Sequence, residues 1–277
     1  MSLLKSRIIL LTCLLLHVAM EQKFIGATFT TSTACSSANH AIGHAFWLIR
    51  HGTLDCALAG GSEAPISFGH LKAWEAMRVV ASDTCRPFSK NRAGLILGEG
   101  AAMLVLETLE NARARGAKIY AELAGFGMSA DAYHLTSPLA EGAARAINAA
   151  LEDGHLSREQ INYVNAHGTG TQANDSTETR AIQQVFGSHV DKLAVSSTKS
   201  MHGHALGAAG ALEGVATLLA FRSNFLPPTA NFVERDPACD LDVVPNKART
   251  GEIEAALSNS FAFGGLNAVL AFRRITD

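Results

Sequence analysis

Strand-like and helix-like apolar patterns alternate along the chain. Residues 38–49, "ANHAIGHAFWLI", are apolar nearly all round, which predicts a buried helix and not an amphipathic surface one. "DCALAGGSEA" from Asp55 predicts a short buried strand ending in a glycine pair. "GEGAAMLVLE" from Gly98 predicts a strand running to Glu107, and "TLENARARGAK" a polar-faced helix closing near Gly116. "IYAELAGFGMS" from Ile119 opens a second series of strands and helices, so an internal boundary is expected near Lys118. In that series residues 141–153 form an amphipathic helix ended by Gly154. "INYVNAHGTGTQAND" predicts a strand that breaks into a Gly/Thr loop, with Asp175 as N-cap of the next helix. "LAVSSTKSMHGHALGAAGALEGVATLLAF" reads as a strand, a loop and a helix of small residues. "EAALSNSFAFGGLNAVLAF" reads as two strands around a glycine turn. The alternation predicts a layered α/β protein.

Composition narrows the function classes. Of 277 residues, 48% are hydrophobic and only 17% charged, which suits a large buried core and excludes a disordered chain. A net charge of −2 gives no electrostatic footprint for nucleic acid. Five cysteines, an odd number without C-x-x-C spacing, suggest neither a disulfide framework nor a zinc knuckle; a cytoplasmic location is expected. At the N-terminus, Lys5 and Arg7 precede an apolar run at 8–16 that resembles a signal peptide. The run is short for a membrane span, and no small-x-small cleavage site follows cleanly. A buried segment or a displaced start fits it better than export. Membrane association rests on that run alone.

Candidate chemistry begins at Cys35 in "STACSSANHAIGHAF". A helix starting just after it would aim unpaired N–H groups at the sulfur and lower the thiol pKa. Ala34, Ser36 and Ser37 would leave room for a substrate carbonyl. The plain alternative is a cysteine packing as a small hydrophobe. His167 lies in "NAHGTGT", where Gly168 and Gly170 allow a sharp turn and Thr169 and Thr171 offer hydroxyls. Taken alone, a strand-end histidine is more often a structural hydrogen-bonder than a catalyst. "SSTKSMHGHALGAAG" carries Lys199, His202 and His204. No carboxylate is spaced to complete a metal site with these histidines, so no metal is expected. In "NSFAFGGLNA", the pair Gly264–Gly265 can present backbone N–H groups to an anion, and Phe261 and Phe263 can wall an apolar pocket. An ordinary glycine hairpin is the other reading. Taken together, one cysteine, two loop histidines, a lysine and a glycine turn at strand ends make a candidate thioester site.

The blocks "TACSSANHAIG", "RPFSKNRAGLILGEGAAMLVLE", "KIYAELAGFGMSADAYHLTSP", "VNAHGTGTQAND", "SSTKSMHGHALGAAGALE" and "NSFAFGGLN" carry a family likeness. From about residue 28 to the C-terminus the chain resembles β-ketoacyl-acyl carrier protein synthases of the KAS II type. "GGSEAPISFGHLKAWEAMRV" is similar to the nodulation-type ketosynthases that build modified fatty acids. The resemblance implies a thiolase-like layered α/β/α/β/α fold. It implies residues 1–20 as an unmatched apolar segment, 21–118 as the rest of an N-terminal half with the nucleophile, and 119–277 as a C-terminal half with the histidines. It implies decarboxylative Claisen condensation with acyl- and malonyl-loaded acyl carrier protein as partners, no cofactor, and a homodimer.

Site roles follow from the same resemblance. Cys35 would be the acylated nucleophile. His167 and His204 would hydrogen-bond the malonyl thioester oxygen and stabilise the enolate. Backbone N–H groups of Cys35 and Phe263 would form the oxyanion hole. Lys199 would organise charge near His167, Glu213 would order that network, and Phe263 would gate the acyl pocket. Three departures accompany the match. Ala262 stands where the family usually has Gly, which would restrict a gate needing unusual backbone angles. Leu266 replaces a usual Thr. Ser89 and Ala93 replace acidic positions, so ion pairs are expected to be missing there.

The family's strands and helices before the nucleophile are lacking, so a truncated first half with unpaired edges is expected. A fragment, a misplaced start or a decayed gene product would explain it. Another cysteine enzyme is less well matched. A hydrolase needs a base paired with Cys35. A degradative thiolase would carry a second catalytic cysteine near the C-terminus, and "NSFAFGG" has none. A non-catalytic chain-length partner or inactive remnant is the third reading, although such partners commonly lose the nucleophile that Cys35 retains.

Overall fold

The computed structural model describes residues 13–275. The apolar run at 8–16 lies mostly outside them. Among the described residues no helix is long and apolar enough to cross a membrane.

The described chain begins with helix α1 (Cys13–Gln22) and α2 (Ser37–Arg50). Strand β1 (Cys56–Glu63), α3 (Phe68–Ala76), β2 (Gly100–Glu107) and α4 (Leu109–Ala114) follow. Next come β3 (Glu122–Ala130), α5 (Ala140–Asp153), β4 (Ile161–Asn165), α6 (Gln172–Phe186) and β5 (Ala194–Ser196). The last elements are α7 (Lys199–His202), α8 (Ala209–Ser223), β6 (Phe225–Leu226), β7 (Arg249–Thr250), β8 (Ala255–Ala262) and β9 (Leu266–Arg273).

A five-stranded mixed sheet in the order β3-β9-β8-β4-β5 is the centre of the fold. β9 pairs antiparallel with both β3 and β8, whereas β4 pairs parallel with both β8 and β5. Period-2 alternation divides its side chains between two cores. Leu257, Phe261, Val269 and Ala271 face a cluster with Ala143, Ile147 and Leu151 of α5 and Ile182 of α6. Ala256, Ala268, Leu270 and Phe272 face a second cluster with Ala38 and Ile42 of α2 and Ala211 and Ala220 of α8. The α5 helix seats on β3 because two glycines leave its backbone room. A Cβ at Gly125 would come within 2.3 Å of the Ala150 carbonyl, and one at Gly127 within 2.1 Å of Ala146.

Beyond α2 and α8 lies an antiparallel ribbon of β1 and β2, pairing Cys56 with Glu107 through to Glu63 with Gly100. Ala59 and Leu104 face the helices, whereas Leu58, Met103 and Val105 are exposed. The expectation of a buried strand here therefore fails: among the described residues the ribbon is covered on one face only. Its glycines sit mid-strand, where a Cβ at Gly60 would lie 2.1 Å from the Ala102 carbonyl.

One local expectation is also corrected. Thr171, not Asp175, caps α6, its hydroxyl accepting from the Asn174 N–H. Asp175 is buried one turn later and accepts from the Phe88 and Gly170 N–H groups. Ser89 and Ala93 carry no charge themselves; beside them buried Arg92 pairs with Asp236, and Lys90 with Glu234 at 2.7 Å. Ser89 is itself buried, and its hydroxyl accepts from the Val233 and Glu234 N–H groups.

Candidate active site

Cys35 lies in a 3₁₀ turn, Ala34–Ser36, that runs directly into α2. Ala34 before it holds φ +51°, a left-handed conformation that costs a non-glycine residue roughly 1–2 kcal/mol. Serine and threonine groups over-determine the turn. The Ser36 hydroxyl donates to the Thr33 carbonyl at 2.8 Å and that of Ser37 to Ala34 at 2.7 Å. Ser37 Oγ also accepts from the Thr33 N–H at 2.9 Å. These serines lock the turn instead of merely clearing space.

The expected lowering of the thiol pKa is overturned. Cys35 is buried, and burial pushes its thiol up to about 11 against the opposing pull of Lys199. The backbone N–H groups of Cys35 and Phe263 also favour the charged sulfur, which places both beside it. The resting sulfur is thus a protonated thiol in a site whose donors await negative charge.

Phe263 follows the end of β8 and precedes Gly264 and Gly265, at φ +82° and +70°. These glycines do not offer N–H groups to an anion as anticipated: Gly264 donates to the Leu135 carbonyl at 2.7 Å and Gly265 to Ala262 at 3.0 Å. They turn the chain, and it is the Phe263 N–H that faces the Cys35 sulfur. Ala262 is a buried residue at the end of β8, paired with Leu266, and is absent from the left-handed region. Its Cβ creates no backbone strain in this conformation.

The two histidines arrive on separate loops. His167 lies just beyond β4. Glu178 of α6 accepts from its N–H and from that of Gly168, both at 2.8 Å. His204 follows α7, exchanging backbone hydrogen bonds with Ile96 at 2.7 Å and Gly98 at 3.0 Å. Both rings are 2% exposed and meet edge-on, with centroids 5.4 Å apart. Burial first, then the Lys199 charge, drives both pKa values well below the ordinary histidine value. Two neutral rings therefore stand side by side. Lys199 Nζ lies 3.4 Å from His167 Nδ1, which leaves Nε2 as the proton-bearing nitrogen. His204 Nδ1 has no hydrogen-bond partner among the described residues.

Lys199 donates to the His167 carbonyl at 2.7 Å and pairs with Glu213 on α8, with neither side chain exposed. Burial raises Glu213 to about 7 despite that partner. Thr169 and Thr171 bond each other at 3.0 Å. Phe261 stacks obliquely 6.1 Å from His167, while Phe263 lies against Trp74 of α3. His202 is turned to the Gly203 carbonyl and the Thr198 hydroxyl. No cluster of three metal-binding side chains occurs among the described residues.

Glu178 escaped sequence reading, as did Asn259, whose amide donates to Glu178 at 3.1 Å. The available signal was an acid in the second turn of a helix that follows a Gly/Thr loop.

Residues 16–112 match the β-ketoacyl synthase N-terminal domain and residues 120–233 the β-ketoacyl synthase C-terminal domain. The chain belongs to the β-ketoacyl synthase family. It is 57% identical over 259 residues to nodulation protein E of Rhizobium sp. (strain N33), covering 94% of this chain and 64% of that protein. It is 48% identical over 257 residues to 3-oxoacyl-[acyl-carrier-protein] synthase 2 of Synechocystis sp., covering 90% of this chain and 62% of the relative. The chain thus spans somewhat under two thirds of these curated β-ketoacyl synthases. Among solved structures, the ishigamide ketosynthase/chain length factor superposes with TM-score 0.94 at 42% identity, over 98% of this chain and 67% of that one. The fold is thiolase-like, as the resemblance implied.

Proposed function

We propose that this β-ketoacyl synthase chain carries out decarboxylative Claisen condensation in acyl-chain biosynthesis. The observation that carries the reading is the pair of neutral, edge-on histidines, His167 held by Lys199 and Glu178 and His204 by its backbone bonds to Ile96 and Gly98, in a site whose thiol is faced by two backbone N–H groups. Cys35 sulfur attacks the thioester carbonyl of an acyl carrier protein; its proton ends on the departing carrier thiol. The N–H groups of Cys35 and Phe263 hold the tetrahedral oxyanion. A malonyl carrier thioester then loses CO₂. The bonding pair becomes an enolate whose oxygen accepts hydrogen bonds from His167 and His204. Its carbon attacks the acyl-cysteine, the Cys35–acyl bond breaks, and the β-ketoacyl carrier thioester leaves. Neutral donors suit this chemistry, because a protonated ring would surrender its proton to the enolate instead of merely stabilising it.

No cofactor is invoked: the thioester activates the acyl group and CO₂ loss supplies the drive. Residues 21–118 are taken as the half with the nucleophile and 119–277 as the half with the histidines. Acyl carrier protein is the proposed partner, as the name of the Synechocystis relative includes it. We assign a homodimer and a cytoplasmic location; Cys35, Cys56, Cys85 and Cys239 are free thiols, which suits a reducing compartment.

The test is intact mass after incubation with acyl-loaded carrier protein, beside Cys35→Ala. An acyl-sized gain is expected only with Cys35 present. A folded chain that gains nothing sinks the reading in favour of a non-catalytic partner. His204→Ala should still accept the acyl group yet fail to decarboxylate malonyl carrier protein.

A further inference from the structure

The outer side of the Phe263 hairpin is occupied by a helix that the condensation chemistry does not use. α3 has no fully buried residue, and Phe68 at its start is 80% exposed. Leu71 and Trp74, one turn apart, attach it to a small cluster of Leu95, Leu97 and Leu206. That cluster adjoins the His204 loop, because Leu97 is bridged to His204 and Leu206 lies two residues beyond it. Trp74 then reaches Phe263 on the opposite wall. Their rings stack at 5.9 Å with planes 22° apart. The indole N–H needs a partner in this half-buried position, and His70 Nε2 supplies it at 2.7 Å from one turn earlier on α3. Meanwhile a Cβ at Gly264 would meet nothing within 4 Å, so packing at the hairpin tip is sparse.

We propose that His70 and Trp74 are positioning residues that seat Phe263 and thereby hold its backbone N–H on the Cys35 sulfur for acylation. His70 fixes the indole, the indole fixes the phenyl ring, and the ring fixes the peptide that completes the oxyanion hole. The inference deepens the condensing-enzyme reading and rests on it for the acylation step.

The test uses the full chain carrying Trp47→Phe, which leaves Trp74 as the only tryptophan. His70→Leu should change Trp74 emission and increase its quenching by acrylamide, and His70→Gln, which keeps an acceptor, should restore both. Phe263→Leu should perturb the same signal. Acylation of Cys35, followed by intact mass, should slow about 2- to 10-fold in His70→Leu and in Trp74→Leu, the range expected for one aromatic contact. His70→Leu combined with Trp74→Leu should be no slower than Trp74→Leu alone. The urea midpoint should barely move, since α3 buries no residue fully. Trp74 emission and quenching that ignore His70→Leu would overturn the proposal. So would acylation rates equal to the parent's. Failure of the parent to acylate at all would instead overturn the condensing-enzyme reading, while the quenching experiment would still decide whether Trp74 is seated by His70.

Discussion

Lys199 and Glu213 form an ion pair with both side chains wholly buried, and the same ammonium donates to the His167 carbonyl at 2.7 Å. The lysine charge acts on Cys35, His167 and His204 alike. One cation thus favours a thiolate while disfavouring imidazolium, which is the charge arrangement a carbanion-forming condensation needs. Glu213 offsets the cost of holding that cation away from water.

Removing one partner should therefore cost more than removing both. Glu213→Leu leaves the lysine charge buried and unpaired, and should lower stability by about 3–5 kcal/mol. Adding Lys199→Met should recover a substantial part of that loss. Urea unfolding of the two single variants and the double variant checks it. A double-variant loss equal to the sum of the two single losses would show no coupling.

The raised Cys35 thiol has a direct signature. Because burial pushes it up to about 11, thiolate remains a minor species at neutral pH. Alkylation of Cys35 by iodoacetamide, followed by peptide mass, should keep rising about tenfold per pH unit above pH 8. A plateau below pH 8 would show that the helix start and Lys199 outweigh burial.

Much of the architecture was legible because the signals were local. Glycine punctuation and period-2 runs located β8, the Gly264–Gly265 turn and β9, and the apolar spacing of residues 141–153 located α5. Sequence blocks named the cysteine, both loop histidines, Lys199 and Glu213. What failed depended on packing. β1 was expected to be a buried strand, yet among the described residues only one face of the ribbon is covered. Dipole reasoning lowered the Cys35 pKa because helix placement is visible in sequence and desolvation is not. Glu178 was missed because its partners are backbone N–H groups 10 and 11 residues away, and an acid in the second turn of a polar helix start reads as a solvated surface residue.

Glu178 yields the next prediction. Its carboxylate takes the N–H groups of both His167 and Gly168 in a fully buried setting. Glu178→Ala orphans both donors, at about 1–3 kcal/mol each. The variant should lose about 2–5 kcal/mol of stability. Any folded fraction should load acyl groups onto Cys35 while decarboxylating malonyl carrier protein poorly, because the His167 loop has lost its anchor. Separate assays of acylation and CO₂ release distinguish this from a general loss of fold; equal losses in both steps would count against the anchoring role.

His202 gives a pH-dependent test with a defined sign. Burial, and then the neighbouring Lys199 charge, lowers it to about 4, although the Gly203 carbonyl at 2.8 Å favours the charged ring. Above pH 6.5 the ring is neutral whether the chain is folded or unfolded, so its contribution is fully present. As pH falls from 6.5 towards 4 the unfolded chain takes a proton that the folded chain refuses, and stability is lost. Relative to His202→Gln, the parent should therefore lose up to about 1.4 kcal/mol per pH unit across that window, levelling below pH 4. Glu213 and Asp175, which burial shifts the other way, titrate in both proteins and cancel in the difference. Urea midpoints at pH 7, 5.5 and 4.5 measure it. A stability difference that stays constant across the three would mean that His202 titrates alike in the folded and unfolded chains.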